Sequence, residues 1–190
     1  MDSKTFLMIG RPGAGKGTQA KLLAQKVGGQ VIDSGARCRQ IAGEDTFFGR
    51  KTKEVIDSGD LMPEWFSIYL FEDVLIRLEP EQAVVFEGAG RKLLEAQEFD
   101  RAASWLDRPY KVVYLNAPEE ELRRRLLERA GVEGRADDAA AAINVRMQRF
   151  TEHTDPAIEF FRKQGVLVEV SSLPPIEEVH ASVLAALGLN

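Results

Sequence analysis

Residues Gly10-Arg11-Pro12-Gly13-Ala14-Gly15-Lys16-Gly17-Thr18 have the types and spacing that hold phosphate. An apolar run ends at Ile9 and helical periodicity starts at Lys16, so the order is strand, glycine loop, helix N-terminus. In that order the backbone N–H groups of a segment such as Gly13 to Thr18 wrap an anion, because glycine lets the main chain come close. Lys16 would neutralise β- and γ-phosphate oxygens, and Thr18 would offer a hydroxyl to Mg²⁺. A strict P-loop pattern sets the hydroxyl directly after the lysine, whereas here Gly17 intervenes. A dinucleotide fingerprint fails, since Gly13-x-Gly15 requires glycine at the position of Thr18.

A second feature is a run of arginines without lysine between Arg123 and Arg149, comprising residues 123, 124, 125, 129, 135, 146 and 149. A guanidinium is a planar fork that grips two phosphate oxygens, where an ammonium is a point charge. Arg123, Arg124 and Arg125 follow Glu119-Glu120-Glu121 and read as a salt-bridged, solvated helix face. Arg129, Arg135 and Arg146 read as phosphate contacts. Asp137 and Asp138 either link these arginines or cap a helix. His153 and His180 each stand alone without metal-ligand spacing and read as structural.

The elements that must position these groups alternate between strand and helix. Short apolar runs at Thr5 to Ile9, Gln30 to Ile32, Ala83 to Phe86, Lys111 to Leu115 and Val166 to Val170 predict a five-stranded parallel sheet with helices on both faces. Continuous runs such as Phe6-Leu7-Met8-Ile9 predict strands buried on both faces, and the first and third strands are expected at the centre. Helical patterns cover Lys16 to Val27, Pro63 to Leu78, Pro118 to Ala130, Asp137 to Gln164 and Pro175 to Leu187, the last closed by Gly188. Gly43 to Met62 and Gly131 to Asp137 exceed simple connections and read as mobile flaps over a site. The aromatics Phe47, Phe48, Trp65, Phe66, Phe160 and Phe161 read as core or flap packing.

With 190 residues, 44% of them hydrophobic, the chain suits one globular domain spanning 1–190 and excludes wholesale disorder. No apolar run approaches the roughly 20 residues that span a bilayer, and the first residues lack a signal-peptide core, so a cytoplasmic protein without membrane contact is expected. A single cysteine, Cys38, forms neither an internal disulfide nor a zinc site and reads as a passive thiol. A net charge of −5 argues against a nucleic-acid binder.

The loop GRPGAGKGTQ resembles the GxPGxGKGTQ loop of adenylate kinases and related nucleoside monophosphate kinases, in which glycine separates the lysine and threonine. The resemblance runs over essentially the whole chain. Asp33-Ser34-Gly35-Ala36-Arg37-Cys38-Arg39 is similar to the family's S-T-G-D-x-x-R segment, which implies that Ser34, Gly35 and Arg39 contact the monophosphate. Gly49 to Pro63 resembles the small monophosphate-binding flap, within a unit of about 33–62, and implies backbone contact with the base at Asp60, Leu61 and Met62. Glu87-Gly88-Ala89-Gly90-Arg91 stands where the family has D-G-F-P-R, implying that Gly88 and Arg91 face the acceptor phosphate. Residues 128–138 resemble a short lid that carries no zinc, with Arg146 on the following helix. The turn at Pro174 stands where the family touches the ATP base.

The resemblance implies a Mg²⁺-dependent, monomeric kinase with ATP and a nucleoside monophosphate as partners. Lys16 and Thr18 would serve ATP·Mg²⁺, with Glu87 acting on the metal through water. Arg39 and Arg91 would hold the acceptor phosphate, and Arg129, Arg135 and Arg146 would close over the transferring group. In-line phosphoryl transfer demands alignment and charge stabilisation more than a nucleophilic side chain.

Several positions depart from the family pattern. Ala36 replaces Asp, Ala89-Gly90 replaces Phe-Pro and loosens the acceptor side, and Glu87 replaces Asp conservatively. Glu95 replaces the glutamine that reads adenine, and a carboxylate only accepts hydrogen bonds. Holding Glu95 protonated at pH 7 costs on the order of 4 kcal/mol. A carboxylate instead matches the adjacent N1–H and N2–H donors of guanine; alternatively Glu95 bonds N6–H alone or faces solvent. AMP is therefore the first acceptor expected and GMP the second. Another small phosphate acceptor, or a catalytically weak nucleotide sensor, remain as further readings; a GTPase switch is disfavoured because N-K-x-D is missing.

Overall fold

The computed structural model describes residues 3–133 and 140–189. Five parallel strands, β1 (Thr5–Gly10), β2 (Gln30–Asp33), β3 (Val84–Glu87), β4 (Tyr110–Asn116) and β5 (Leu167–Ser171), lie in the order β2-β3-β1-β4-β5. Each expected strand is present, displaced by at most a residue or two, and β1 is central as expected. The continuous apolar run in β1 has a direct cause. Phe6 and Met8 enter one core layer while Leu7 and Ile9 enter the other, so alternate side chains bury on opposite faces.

Helices α1 (Lys16–Val27), α2 (Ser34–Ala42), α3 (Phe47–Ser58), α4 (Glu64–Leu75), α5 (Leu93–Trp105), α6 (Glu119–Glu133), α7 (Ala140–Arg149), α8 (Asp155–Lys163) and α9 (Ile176–Leu187) connect and flank the strands. The first layer packs residues of α1, α6, α7 and α9 against the sheet, and the second those of α4, α5 and α8. Phe160 and Phe161 belong to the second layer. A smaller third core of Cys38, Ile41 and Phe66, with Phe48, Ile56, Met62 and Leu70 against it, lies beneath α2 and α3.

Most of Gly43 to Met62, expected as a flap, is helix: α3 fills it, with the Thr46 side chain accepting from Gly49 N–H and Gly59 ending the helix. Two expectations need correction. Phe47, expected in packing, is 73% exposed at the start of that helix. The helix expected from Asp137 to Gln164 is broken by a π-helical turn at Phe150–Thr154. Pro156 at the start of α8 has no N–H to continue the ladder, and the wider turn absorbs the mismatch.

Residues Gly131 to Glu133, placed within a mobile excursion, are helical, since α6 runs through Glu133. The remainder of that excursion, with Arg135 and Asp137, lies outside the described residues, as does Asp138. Among the described residues no helix is long and apolar enough to cross a membrane.

Candidate active site

The loops leaving the C-terminal ends of β1 and β3 bound an open cleft of about 1120 Å³, solvent space included, at the sheet edge where open α/β folds bind ligands. The segment after β1 supplies Gly10, Pro12 and Lys16 to its wall. Lys16 folds over its own loop, donating to the carbonyls of Gly10 at 2.8 Å and Arg11 at 3.1 Å. Burial, followed by the positive charge of Arg91, lowers its pKa to about 7, and Arg146 and Arg129 push in the same direction while Glu87 opposes them. Lys16, Arg91 and Arg146, from separate parts of the chain, thus line the same cleft.

At the end of β2, the Asp33 carboxylate accepts from Ala36 N–H at 2.8 Å and starts α2, which carries Ser34, Gly35 and Arg39 into the cleft wall. Ala36 itself is exposed, so its departure from the family pattern leaves the cleft lining unchanged. Arg39 lies 3.8 Å from Asp33, an ion pair that holds the guanidinium at the N-terminus of α2. Ser34 Oγ donates to the Glu87 carbonyl at 3.1 Å and ties this terminus to β3.

Gly88 follows β3 with φ of 88°, and a Cβ there would collide with Ser34 Oγ and lie 2.6 Å from Arg91 Nη2. Glycine is required both by conformation and by the close approach of these two side chains. Gly90, with φ of 68°, occupies a conformation closed to the proline expected from the family pattern. A Cβ there would meet the Phe161 ring at 3.0 Å, and Ala89 is buried in the same core. The expectation of a loosened acceptor side thus meets a packed segment.

Glu87 extends from the end of β3 over the phosphate loop. Its Oε2 would lie 3.1 Å from a Cβ on Gly17, one residue before the exposed Thr18 hydroxyl. A carboxylate and a hydroxyl in this arrangement are hard oxygen donors of the type Mg²⁺ takes, directly or through water.

Glu95 is buried, which overturns the reading of a solvent-facing glutamate. Its Oε2 accepts from the N–H groups of Arg91 at 2.9 Å and Lys92 at 3.4 Å, closing the first turn of α5. Burial raises its pKa, against the stabilising N–H groups of Arg91 and Lys92 and the nearby Ser67 side chain. The carboxyl group still lines the cleft, beside Ser67 and Leu70 of α4.

The flap contributes Ile56, Gly59, Asp60, Leu61 and Met62. Opposite them, the π-helical turn presents Phe150 and Thr154, and α7 presents Arg146. Phe150, Thr154, Ser67 and the half-apolar wall of Ile56 and Leu70 escape sequence reasoning. Only Pro156 signals the irregular turn, and nothing in the spacing of α4 marks Ser67. Cys38 also reaches the wall, where burial raises its pKa and keeps the thiol protonated.

Other expected residues fall outside the cleft lining. Gly13, Ala14, Gly15, Gly17 and Thr18 form the adjoining loop and helix start, and Arg129 acts on Lys16 at longer range. Pro174 sits in an exposed turn after β5, where Arg125 donates to the Ser172 carbonyl at 2.9 Å. Arg123 and Arg124 pair with Glu119 and Glu121, and Arg125 shares Glu121, as expected of a salt-bridged face. His153 is half-buried beside Glu152, and His180 is partly buried on α9.

Comparison with known proteins gives a family model described as adenylate kinase, which matches residues 8–166. Among curated relatives, an adenylate kinase of Thermus thermophilus is 38% identical over 187 residues, covering 98% of each chain. One of Thermobifida fusca is 34% identical over 182 residues, covering 95% of this chain and 96% of the relative. One of Leptospira biflexa is 32% identical over 185 residues, covering 97% of this chain and all of the relative.

Proposed function

Because the chain belongs to the adenylate kinase family, we propose that it moves the γ-phosphoryl group of ATP onto AMP, forming two ADP. The observation that carries this reading is that Lys16, Arg39, Arg91 and Arg146, from four separate parts of the chain, line one cleft at the phosphate loop. Guanidinium forks and an ammonium gathered in one cleft are the groups that several phosphates call for.

In this mechanism the loop from Gly13 to Thr18 wraps the donor phosphates, and Lys16 turns from the carbonyls of Gly10 and Arg11 onto the β and γ oxygens. Arg39, Arg91, Ser34 and the N-terminus of α2 hold the acceptor phosphate, with Gly88 allowing the close approach of Ser34 and Arg91. Arg129 and Arg146 stabilise charge on the equatorial oxygens as the phosphoryl group passes. Arg135 belongs to the same proposal as a lid residue. Thr18 and Glu87 would hold Mg²⁺, which supplies charge neutralisation between the phosphates. Asp60, Leu61 and Met62, with Ile56 and Leu70, form the acceptor-base wall, and the turn at Pro174 lies beside the donor base. A cytoplasmic, monomeric enzyme completes the proposal.

GMP is the second acceptor reading, because Glu95 places a carboxylate in the cleft wall. A nucleotide sensor is disfavoured, since binding ATP alone gives no reason to keep Arg39 and Arg91 on the acceptor side.

The test is diphosphate formation from ATP·Mg²⁺ with each of AMP, GMP, CMP, UMP and dTMP, with Lys16→Ala as control. AMP turnover above the others, lost in the control, supports the proposal. ATP binding with no phosphorylation of any monophosphate would overturn it.

A further inference from the structure

Glu95 Oε2 accepts from the N–H groups of Arg91 and Lys92, which leaves Oε1 to be shared between the Ser67 hydroxyl and a ligand in the cleft. A bidentate clasp on the N1–H and N2–H of guanine needs both oxygens, so the capping role withdraws half of that clasp. Adenine asks for something different. Its N6–H donates and the neighbouring N1 accepts, and a carboxylate satisfies only the first.

The missing donor stands next to it. Ser67, on the turn of α4 that faces α5, lines the same cleft and turns its hydroxyl toward the Glu95 carboxylate. A hydroxyl rotates freely between donating to a carboxylate and donating elsewhere. The two helix starts are held in register by Lys92 and Glu64, 3.6 Å apart, so the spacing of Ser67 and Glu95 is set by α4 and α5 themselves. Around them Ile56, Met62 and Leu70 provide an apolar wall suited to a flat base.

We propose that Ser67 and Glu95 together read the acceptor adenine, Glu95 Oε1 accepting from N6–H and Ser67 O–H donating to N1, thereby dividing between two side chains the work of one amide. The assignment rests on the acceptor site described above and makes Ser67 a specificity-determining residue. Guanine in the same register would set its O6 acceptor against Glu95 Oε1, and shifted so that N1–H meets Glu95 its 2-amino group would lack the second carboxylate oxygen.

The test is a double-mutant cycle on AMP binding by calorimetry and on steady-state kinetics, using Ser67→Ala, Glu95→Gln and the double variant, with thermal unfolding checked for each. In the wild type, Ser67→Ala weakens AMP binding about tenfold, the value of one hydrogen bond, and raises KM for AMP while KM for ATP stays put. In the Glu95→Gln background the amide N–H supplies the N1 donor, so removing Ser67 costs less than about twofold. Equal losses in both backgrounds, no loss in the first, or tighter wild-type binding of GMP than of AMP would each overturn the assignment. Wild-type AMP binding without turnover would instead count against the kinase reading alone, since the binding cycle still reports on Ser67.

Discussion

Arg149, the last residue of α7, is clamped to Asp60 of the flap: its Nε lies 2.9 Å from Oδ1, and Nη2–H donates to Oδ2 at 3.2 Å. The backbone beside this pair is equally close, for a Cβ on Gly59 would lie 2.7 Å from the Ala142 carbonyl. The flap and α7 thus meet across the mouth of the cleft.

Arg149→Met should loosen this closure. Both side chains are more than a third exposed, at 35% and 41%, so solvent screens the pair and folding stability should barely change. The proposed effect is on the acceptor side, with KM for AMP rising about fivefold, and roughly 0.5 M KCl should raise the wild-type KM toward that of the variant. An unchanged KM at low salt would show that the pair does not govern closure.

Lys16 carries a penalty on folding that depends on pH. Its pKa falls from 10.5 to about 7 on folding, so the unfolded chain binds more protons between those values. Stability therefore rises with pH across that window, and the penalty is present in full below about 7. Lys16→Met should be more thermostable than wild type at pH 6, with the gap narrowing toward pH 10, while phosphoryl transfer falls by at least about 10²-fold. Thermal midpoints of both proteins from pH 6 to 10 test this. A gap that widens with pH would refute it.

Gly88→Ala meets two penalties at once, a φ of 88° and a collision with Ser34 Oγ. We expect a loss of about 1–3 kcal/mol in denaturant unfolding and a larger rise in KM for AMP than for ATP, because Ser34 and Arg91 must separate. Wild-type kinetics in this variant would contradict the acceptor-side geometry.

Arg108 makes a purely structural contribution far from the cleft. It is buried, donates to Thr5 Oγ1 and to the carbonyls of Glu79 (3.1 Å) and Gln82, and closes the turn ahead of β3 onto β1. Arg108→Met leaves those acceptors without their donors and should cost about 2–4 kcal/mol in denaturant unfolding. A KM for AMP that stays within about twofold of wild type at 25 °C would separate this effect from that of Gly88→Ala.

The sequence by itself determined the strand–loop–helix unit around Lys16 and the parallel sheet. These are local properties: strands buried on both faces read as continuous apolar runs, and a phosphate loop states its chemistry within ten residues or so. Its silence begins where partners are distant in the chain. Asp60 and Arg149 are 89 positions apart, and Ser67 and Glu95 meet only because α4 packs on α5. Resemblance to a family assigned Glu95 a base or solvent, whereas the tertiary structure buried it as the cap of α5 in the wall of the cleft. The helix expected beyond Asp137 had the right periodicity, yet the π-helical turn before Pro156 decided that Phe150 and Thr154 would face the site. Periodicity reports which face of a segment is apolar; which side chains then face one another is decided by packing between segments, and that is set only when the sheet order and the helix layers are complete.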